Sequence, residues 1–131
     1  MATILLADDD PFLLKIYSTY LTRDQHQVIT CNDGQSALEK SLEEKPDVIV
    51  LDIMLPRLNG LDVLEELRSN KATKDIPVIC LSNLVQEEDQ KLAMDLGANE
   101  FIVKVRLTPN EIIEVIHKYV KPAKEKKKTD T

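Results

Sequence analysis

The sequence has few residues of the kinds that build nucleophilic or zinc chemistry: two cysteines, two histidines and no tryptophan in 131 residues. Cys31 and Cys80 lack metal-type spacing and read as reduced, partly buried thiols. His26 and His117 lie far apart in the chain, and each reads as an isolated surface histidine rather than a ligand or base. Cys–His and Ser–His–Asp catalysis therefore drop out. No run approaches the ~20 apolar residues of a membrane span, so no membrane association is expected. The opening run Thr3 to Ala7 is short, lacks a basic start and meets Asp8-Asp9-Asp10 at once. That is not a secretory signal, and the expected location is cytoplasmic.

Basic charge is also scarce outside the last residues. The formal net charge is −6, yet residues 121–131 carry five lysines against Glu125 and Asp130. The remaining 1–120 therefore hold a net −9. Such a body repels phosphate backbones, which argues against nucleic acid as a direct ligand. Residues 121–131 read as a basic, disordered tail beyond a single domain at 1–120.

What is present is alternation. Short apolar runs at Thr3–Ala7, Gln27–Cys31, Val48–Leu51, Val78–Leu81 and Glu100–Val103 are too short for helices and mostly rich in β-branched residues, so they read as strands. Val48–Leu51 and Val78–Leu81 do not alternate with polar residues, as expected of strands buried on both faces of a parallel sheet. Helical stripes lie between them. Leu13, Tyr17, Tyr20 and Leu21 follow Pro11, and Ala37, Leu38, Ser41 and Leu42 follow Asp33 as N-cap. Leu61, Leu64 and Leu67 form a third stripe, and Leu92, Ala93 and Leu96 a fourth that ends at Gly97. Thr108-Pro109-Asn110-Glu111 is a capping box opening onto Ile112, Ile113, Ile116 and Val120. All of these stripes read as core faces.

Five βα units in series predict an α/β fold, an open parallel sheet with helices on both faces. Ligands on such sheets bind beyond the carboxyl ends of the strands. Asp8, Asp9 and Asp10 follow the first strand, Asp52 the third, Ser82 the fourth and Lys104 the fifth. Carboxylates crowded on one sheet edge repel each other, and Mg²⁺ relieves that repulsion using one or two carboxylates, water and phosphate oxygens. With a lysine and a hydroxyl beside them, such groups can stabilise a phosphoryl group passing onto a carboxylate. Singly, each feature is ordinary cap or turn chemistry; together at separate strand ends they are not.

The segment Val48-Ile49-Val50-Leu51-Asp52-Ile53-Met54-Leu55-Pro56-Arg57-Leu58-Asn59-Gly60, with Ala7-Asp8-Asp9-Asp10-Pro11, Leu81-Ser82, Leu96-Gly97-Ala98 and Phe101-Ile102-Val103-Lys104, resembles the receiver domain of two-component response regulators. The resemblance covers residues 3–120 and extends to stand-alone members such as the chemotaxis regulator. It implies a doubly wound, five-stranded, flavodoxin-like sheet of order 2-1-3-4-5. It implies Asp52 as phosphoacceptor, Asp9 as direct Mg²⁺ ligand, Asp8 acting mostly through water, and the Met54 carbonyl completing the metal site. Ser82 is then the phosphoryl hydrogen-bond donor, Lys104 its ion-pair partner and Phe101 the aromatic switch. Asp10 and Pro11 remain helix-start residues. The implied phosphodonor is a histidine kinase, a phosphotransfer protein or a small acyl phosphate. The implied output is a downstream protein recruited by the face of the fourth helix, fifth strand and fifth helix. In that strand order Cys31 and Cys80 lie three strand spacings apart, roughly 14 Å, beyond disulfide reach.

Four positions depart from the family. Val105 stands where a cis proline is usual, so the loop is either trans and reshaped or strained, and Arg106 is a candidate to supplement or replace the Lys104 contact. Asn83 replaces a small residue and is expected to narrow access to Asp52. Met54 and Leu84 are apolar where fast regulators carry polar side chains, so slow self-dephosphorylation is expected. The domain is read as a phosphoacceptor switch that assists its own phosphorylation and dephosphorylation, not as a metabolic enzyme. An interaction module independent of phosphorylation is the competing reading. An aspartyl-phosphate phosphohydrolase would need a carboxylate where Met54 stands.

Overall fold

The computed structural model describes residues 2–83 and 86–120. Strands β1 (Thr3–Ala7), β2 (Gln27–Cys31), β3 (Val48–Asp52), β4 (Val78–Ser82) and β5 (Glu100–Val103) alternate with helices α1 (Pro11–Arg23), α2 (Gly34–Glu44), α3 (Gly60–Ser69), α4 (Glu87–Asp95) and α5 (Pro109–Lys118). Every strand pair is parallel, in the order β2-β1-β3-β4-β5. The architecture is the expected doubly wound one. β3 and β4 each run one residue further than the apolar pattern indicates, taking in Asp52 and Ser82. That extension matters for the site. Both residues are strand residues with fixed partners, Asp52 opposite Leu81 and Ser82 opposite Val103.

The period of two along the strands divides the core into two layers. Leu5, Ile49, Leu51, Val78 and Cys80 point to one side, against Val63, Leu64 and Leu67 of α3 and Ala93 of α4. Ile4, Leu6, Val50, Ile79 and Leu81 point to the other, against Tyr17 and Leu21 of α1 and Ile112 and Ile116 of α5. β3 and β4 are buried along their whole length, which is why their sequences carry no alternation. Cys31 and Cys80 are free and buried, in one row across the sheet through Ala7 and Leu51. Burial pushes their thiols up to about 11 and about 12.

Helix ends follow local chemistry. Asp10 caps α1, its Oδ1 accepting from the Phe12 and Leu13 amides. Asp33 caps α2 through the Ser36 amide, and Thr108 and Glu111 form the reciprocal box on α5. Asn59, which the apolar pattern does not single out, caps α3 through the Leu61 amide. Gly97 ends α4 at φ +106°, a conformation that favours glycine.

Two expectations need correcting. The α4 stripe is not wholly a core face: Ala93 is buried, but Leu92 is 47% exposed. Small Ala93 lets the helix lie against the sheet, and the ~100° step per residue then carries Leu92 outward. His26 is not a surface histidine either. It is 6% exposed and its Nε2 lies 3.2 Å from His117 Nε2. The two are 91 residues apart, and α5, running antiparallel to the strands, returns His117 to the start of β2. Residues 121–131 and Leu84 lie outside the described residues. No helix among the described residues is long and apolar enough to cross a membrane.

Candidate functional site

The acidic run after β1 divides into three tasks. Asp8 turns inward and is buried, its Oδ1 accepting the Asp10 amide at 3.0 Å. Asp9 is exposed at the pocket mouth, and Asp10 is spent on the α1 cap. Asp52 ends β3, also buried, with Oδ1 held by the Met54 amide at 2.9 Å. One carboxylate oxygen from each of Asp8, Asp9 and Asp52 lies within 4.8 Å of the others.

Lys104, directly after β5, supplies the opposite charge. Its Nζ donates to Asp52 Oδ2 at 2.7 Å. It also lies 2.6 Å from Asp8 Oδ2. Burial raises the Asp8 carboxyl above its ordinary value; Lys104 and the Asp10 amide oppose that rise, and Asp52 adds to it. Burial alone would depress the Lys104 ammonium, yet the hydrogen bonds and charges of Asp52 and Asp8 outweigh it and raise it. Two desolvated carboxylates therefore share one desolvated cation. Such a cluster is costly when any member is removed.

The loop after Lys104 resolves one open question. No cis peptide occurs among the described residues, and Lys104–Arg106 forms a short 3-10 turn. The reshaped trans loop still delivers Lys104 to Asp52. Arg106 is exposed, as is Val105, so the contact is made by the lysine itself. Ser82 is fully buried at the end of β4, and Asn83 beyond it is exposed. The Met54 side chain is 58% exposed. Phe101 is half-buried, opposite Cys80 in register and packed on the α3–α4 side of the core.

Gly60 is a site residue to which the sequence reading gave no task. Its amide donates to the Ile53 carbonyl at 3.0 Å, so α3 begins hard against the end of β3. A Cβ there would sit 2.6 Å from Ile53 Cα and overlap the Asp52 carbonyl oxygen. Glycine is what allows that approach. The signal was visible as a glycine eight residues after Asp52, but its meaning depends on where α3 lands.

The arrangement suits a hard divalent cation. Octahedral oxygens at 2.0–2.1 Å from Mg²⁺ lie roughly 2.9–4.2 Å apart, a spread that three oxygens grouped within 4.8 Å can meet. Residues 4–117 match the response regulator receiver domain family. The chain belongs to that family. This receiver is 38% identical over 109 residues to the alkaline phosphatase synthesis transcriptional regulatory protein PhoP of Bacillus subtilis, covering 83% of the chain and 44% of PhoP. It thus spans less than half the length of that relative. The receiver domain of Francisella response regulator 1452 superposes with a TM-score of 0.83 at 27% identity, over 94% of this chain and 99% of that one. The phosphorylated cyanobacterial phytochrome response regulator RcpA superposes with a TM-score of 0.76 at 29% identity, over 88% of each chain. The acidic pocket of this receiver fits Mg²⁺-dependent phosphorylation.

Proposed function

We propose that this receiver accepts a phosphoryl group on Asp52 from a histidine kinase or phosphotransfer protein and thereby changes a partner-binding face. The observation that carries the reading is the convergence of Asp8, Asp9, Asp52 and Lys104 at three strand ends. Asp9 and the Met54 carbonyl would hold Mg²⁺ directly, with Asp8 acting mostly through water. The ion would neutralise charge on the phosphoryl oxygens as they approach Asp52.

The chain's own residues supply the rest. The Met54 amide fixes Asp52 Oδ1, which sets the carboxylate plane before the donor arrives. As the P–N or P–O bond of the donor breaks and the bond to Asp52 forms, Lys104 gives up its carboxylate contacts for a phosphoryl oxygen. Ser82 is buried one register row from that position and donates its hydroxyl there. Its movement, with Phe101 following inward, would carry the change to α4, β5 and α5. Recruitment of a downstream protein by that face and a cytoplasmic setting belong to the same proposal, as does the absence of a metabolic reaction.

Two alternatives lose ground. The Val105 and Asn83 departures, which favoured an interaction-only module, leave the Lys104–Asp52 contact intact. A phosphohydrolase carboxylate is missing where Met54 stands. The exposed Met54 and Asn83 support slow self-dephosphorylation and restricted access for small donors. Acetyl phosphate with Mg²⁺ tests the reading: the chain should gain the mass of one phosphoryl group. Omitting Mg²⁺ or substituting Asp52→Asn should abolish the gain. A gain that persists in Asp52→Asn would refute the assignment.

A further inference from the structure

Metal-ligating side chains also converge at the opposite end of the sheet, where the phosphorylation pocket has no part. His26 lies just before β2 and His117 in the last turn of α5, and their Nε2 atoms are 3.2 Å apart. Asp24, the C-cap residue of α1, brings Oδ2 to 3.4 Å from His117 Nε2. The rings are tilted rather than stacked, with centroids 5.2 Å apart, so the nitrogens meet edge on.

We propose that Asp24, His26 and His117 form a second metal site, for a divalent transition ion of the zinc or copper class. Tetrahedral donors about 2.0–2.1 Å from Zn²⁺ are separated by roughly 3.3–3.4 Å. The His26–His117 and His117–Asp24 separations, 3.2 and 3.4 Å, fall at that edge length. The ligand atoms of Asp24 and His26 themselves lie more than 4.8 Å apart, so the Asp24 side chain must turn to complete the set. Proton bookkeeping points the same way. His26 Nδ1 accepts the Ala2 amide at 3.2 Å, so the proton of a neutral His26 ring sits on Nε2. Donated to His117 Nε2, that proton leaves the same nitrogen nothing to offer Asp24. No placement of protons on the neutral rings serves both His117 contacts, whereas one cation between the three groups does.

The donor set decides the class. Two imidazole nitrogens and one carboxylate suit zinc or copper, while the all-oxygen pocket of Asp8, Asp9 and Asp52 suits Mg²⁺. Asp24 is half-exposed at a helix end, so its side chain can close toward His26, and water completes the shell. The neighbouring Lys118 is engaged by Glu100 at 3.2 Å and does not compete. Binding has one local cost. The His26 proton must move to Nδ1, which forces the Ala2 amide off that nitrogen. An ion here would tie the end of α1, the start of β2 and α5 together.

Zinc titration calorimetry on the full chain in saturating Mg²⁺ tests this. One Zn²⁺ should bind per chain, with binding lost in His117→Gln, weakened in Asp24→Asn and retained in Asp52→Asn. His117 is partly exposed, so His117→Gln should remain folded. Zn²⁺ should also shift the Ala2 amide resonance in the wild-type chain and leave it unmoved in His117→Gln. Absence of Zn²⁺ binding, unchanged binding in His117→Gln, or loss in Asp52→Asn would each overturn the proposal.

Discussion

The two ends of the sheet solve opposite electrostatic problems. At the carboxyl end, Asp8, Asp52 and Lys104 are buried charges in contact, and desolvation already pushes Asp8 toward its neutral form. At the amino end, His26 and His117 meet nitrogen to nitrogen with the half-exposed Asp24 carboxylate beside them, so the same backbone architecture brings imidazoles as well as oxygen together. The sheet supplies placement alone. Residue type at each edge then determines which cation is welcome. Stability is held back where the carboxyl end keeps charges that a well-packed apolar cluster would not.

The sharpest way to break this contrast is to remove the shared cation. Lys104→Met leaves two buried carboxylates without a partner, and should destabilise the metal-free protein by about 3–5 kcal/mol at neutral pH. Mg²⁺ should then restore more stability than it adds to the wild type. Denaturant unfolding with and without Mg²⁺ measures both; a loss below about 1 kcal/mol would mean the cluster is solvated.

Next in size is Gly60→Ala. Helix propensity favours alanine by up to about 1 kcal/mol, but overlap with the Asp52–Ile53 backbone should dominate, for a net loss of about 1–3 kcal/mol. The rate of phosphorylation by acetyl phosphate should fall as well, because the displaced backbone carries Asp52. A variant as stable and as reactive as wild type would show that α3 can retreat freely.

Removing Asp8 should move stability the other way with pH. Its folded pKa is raised above 3.8, so the folded metal-free state binds the proton more tightly than the unfolded chain. Stability is therefore lost as pH rises from 3.8 through the folded value, and Asp8→Asn should flatten that loss. Lys104 has a profile of the same sign in an alkaline window. Its raised pKa gives stability that is full below 10.5 and lost only as pH rises through the folded value. Melting temperatures from acid to alkaline pH, without Mg²⁺, separate the two groups.

The smallest effects are kinetic. Met54→Asn should shorten the lifetime of the phosphorylated form, and Asn83→Ala should quicken acetyl phosphate turnover, each with stability nearly unchanged. Lifetimes followed by mass spectrometry after donor removal would decide; a wild-type phospho-form decaying within seconds contradicts the slow-discharge reading.

Much of this was legible in the chain because periodicity is local. The strands read directly from short β-branched runs, and the caps Asp33 and Thr108 from their own neighbours. Asp52, Ser82 and Lys104 were legible because each follows a recognisable run. What escaped depends on distant packing. His26 and His117 cannot be paired from sequence, since their contact exists only once α5 crosses back to β2. Gly60 looks like any turn glycine until α3 meets Asp52. Leu92 keeps helical spacing yet faces out, because Ala93 sets the rotation of α4. Lys104 held its place despite Val105, an outcome settled by the 3-10 turn rather than by residue identity.

The central claim is that the carboxyl end places Asp52, and not Asp8 or Asp9, as the phosphoryl acceptor. Borohydride reduces an aspartyl phosphate to homoserine and so marks the phosphorylated position permanently. After treatment with acetyl phosphate and Mg²⁺, peptide mapping of the reduced chain should find homoserine at position 52. Homoserine at position 8 or 9, or none in a chain that gained phosphoryl mass, would contradict it.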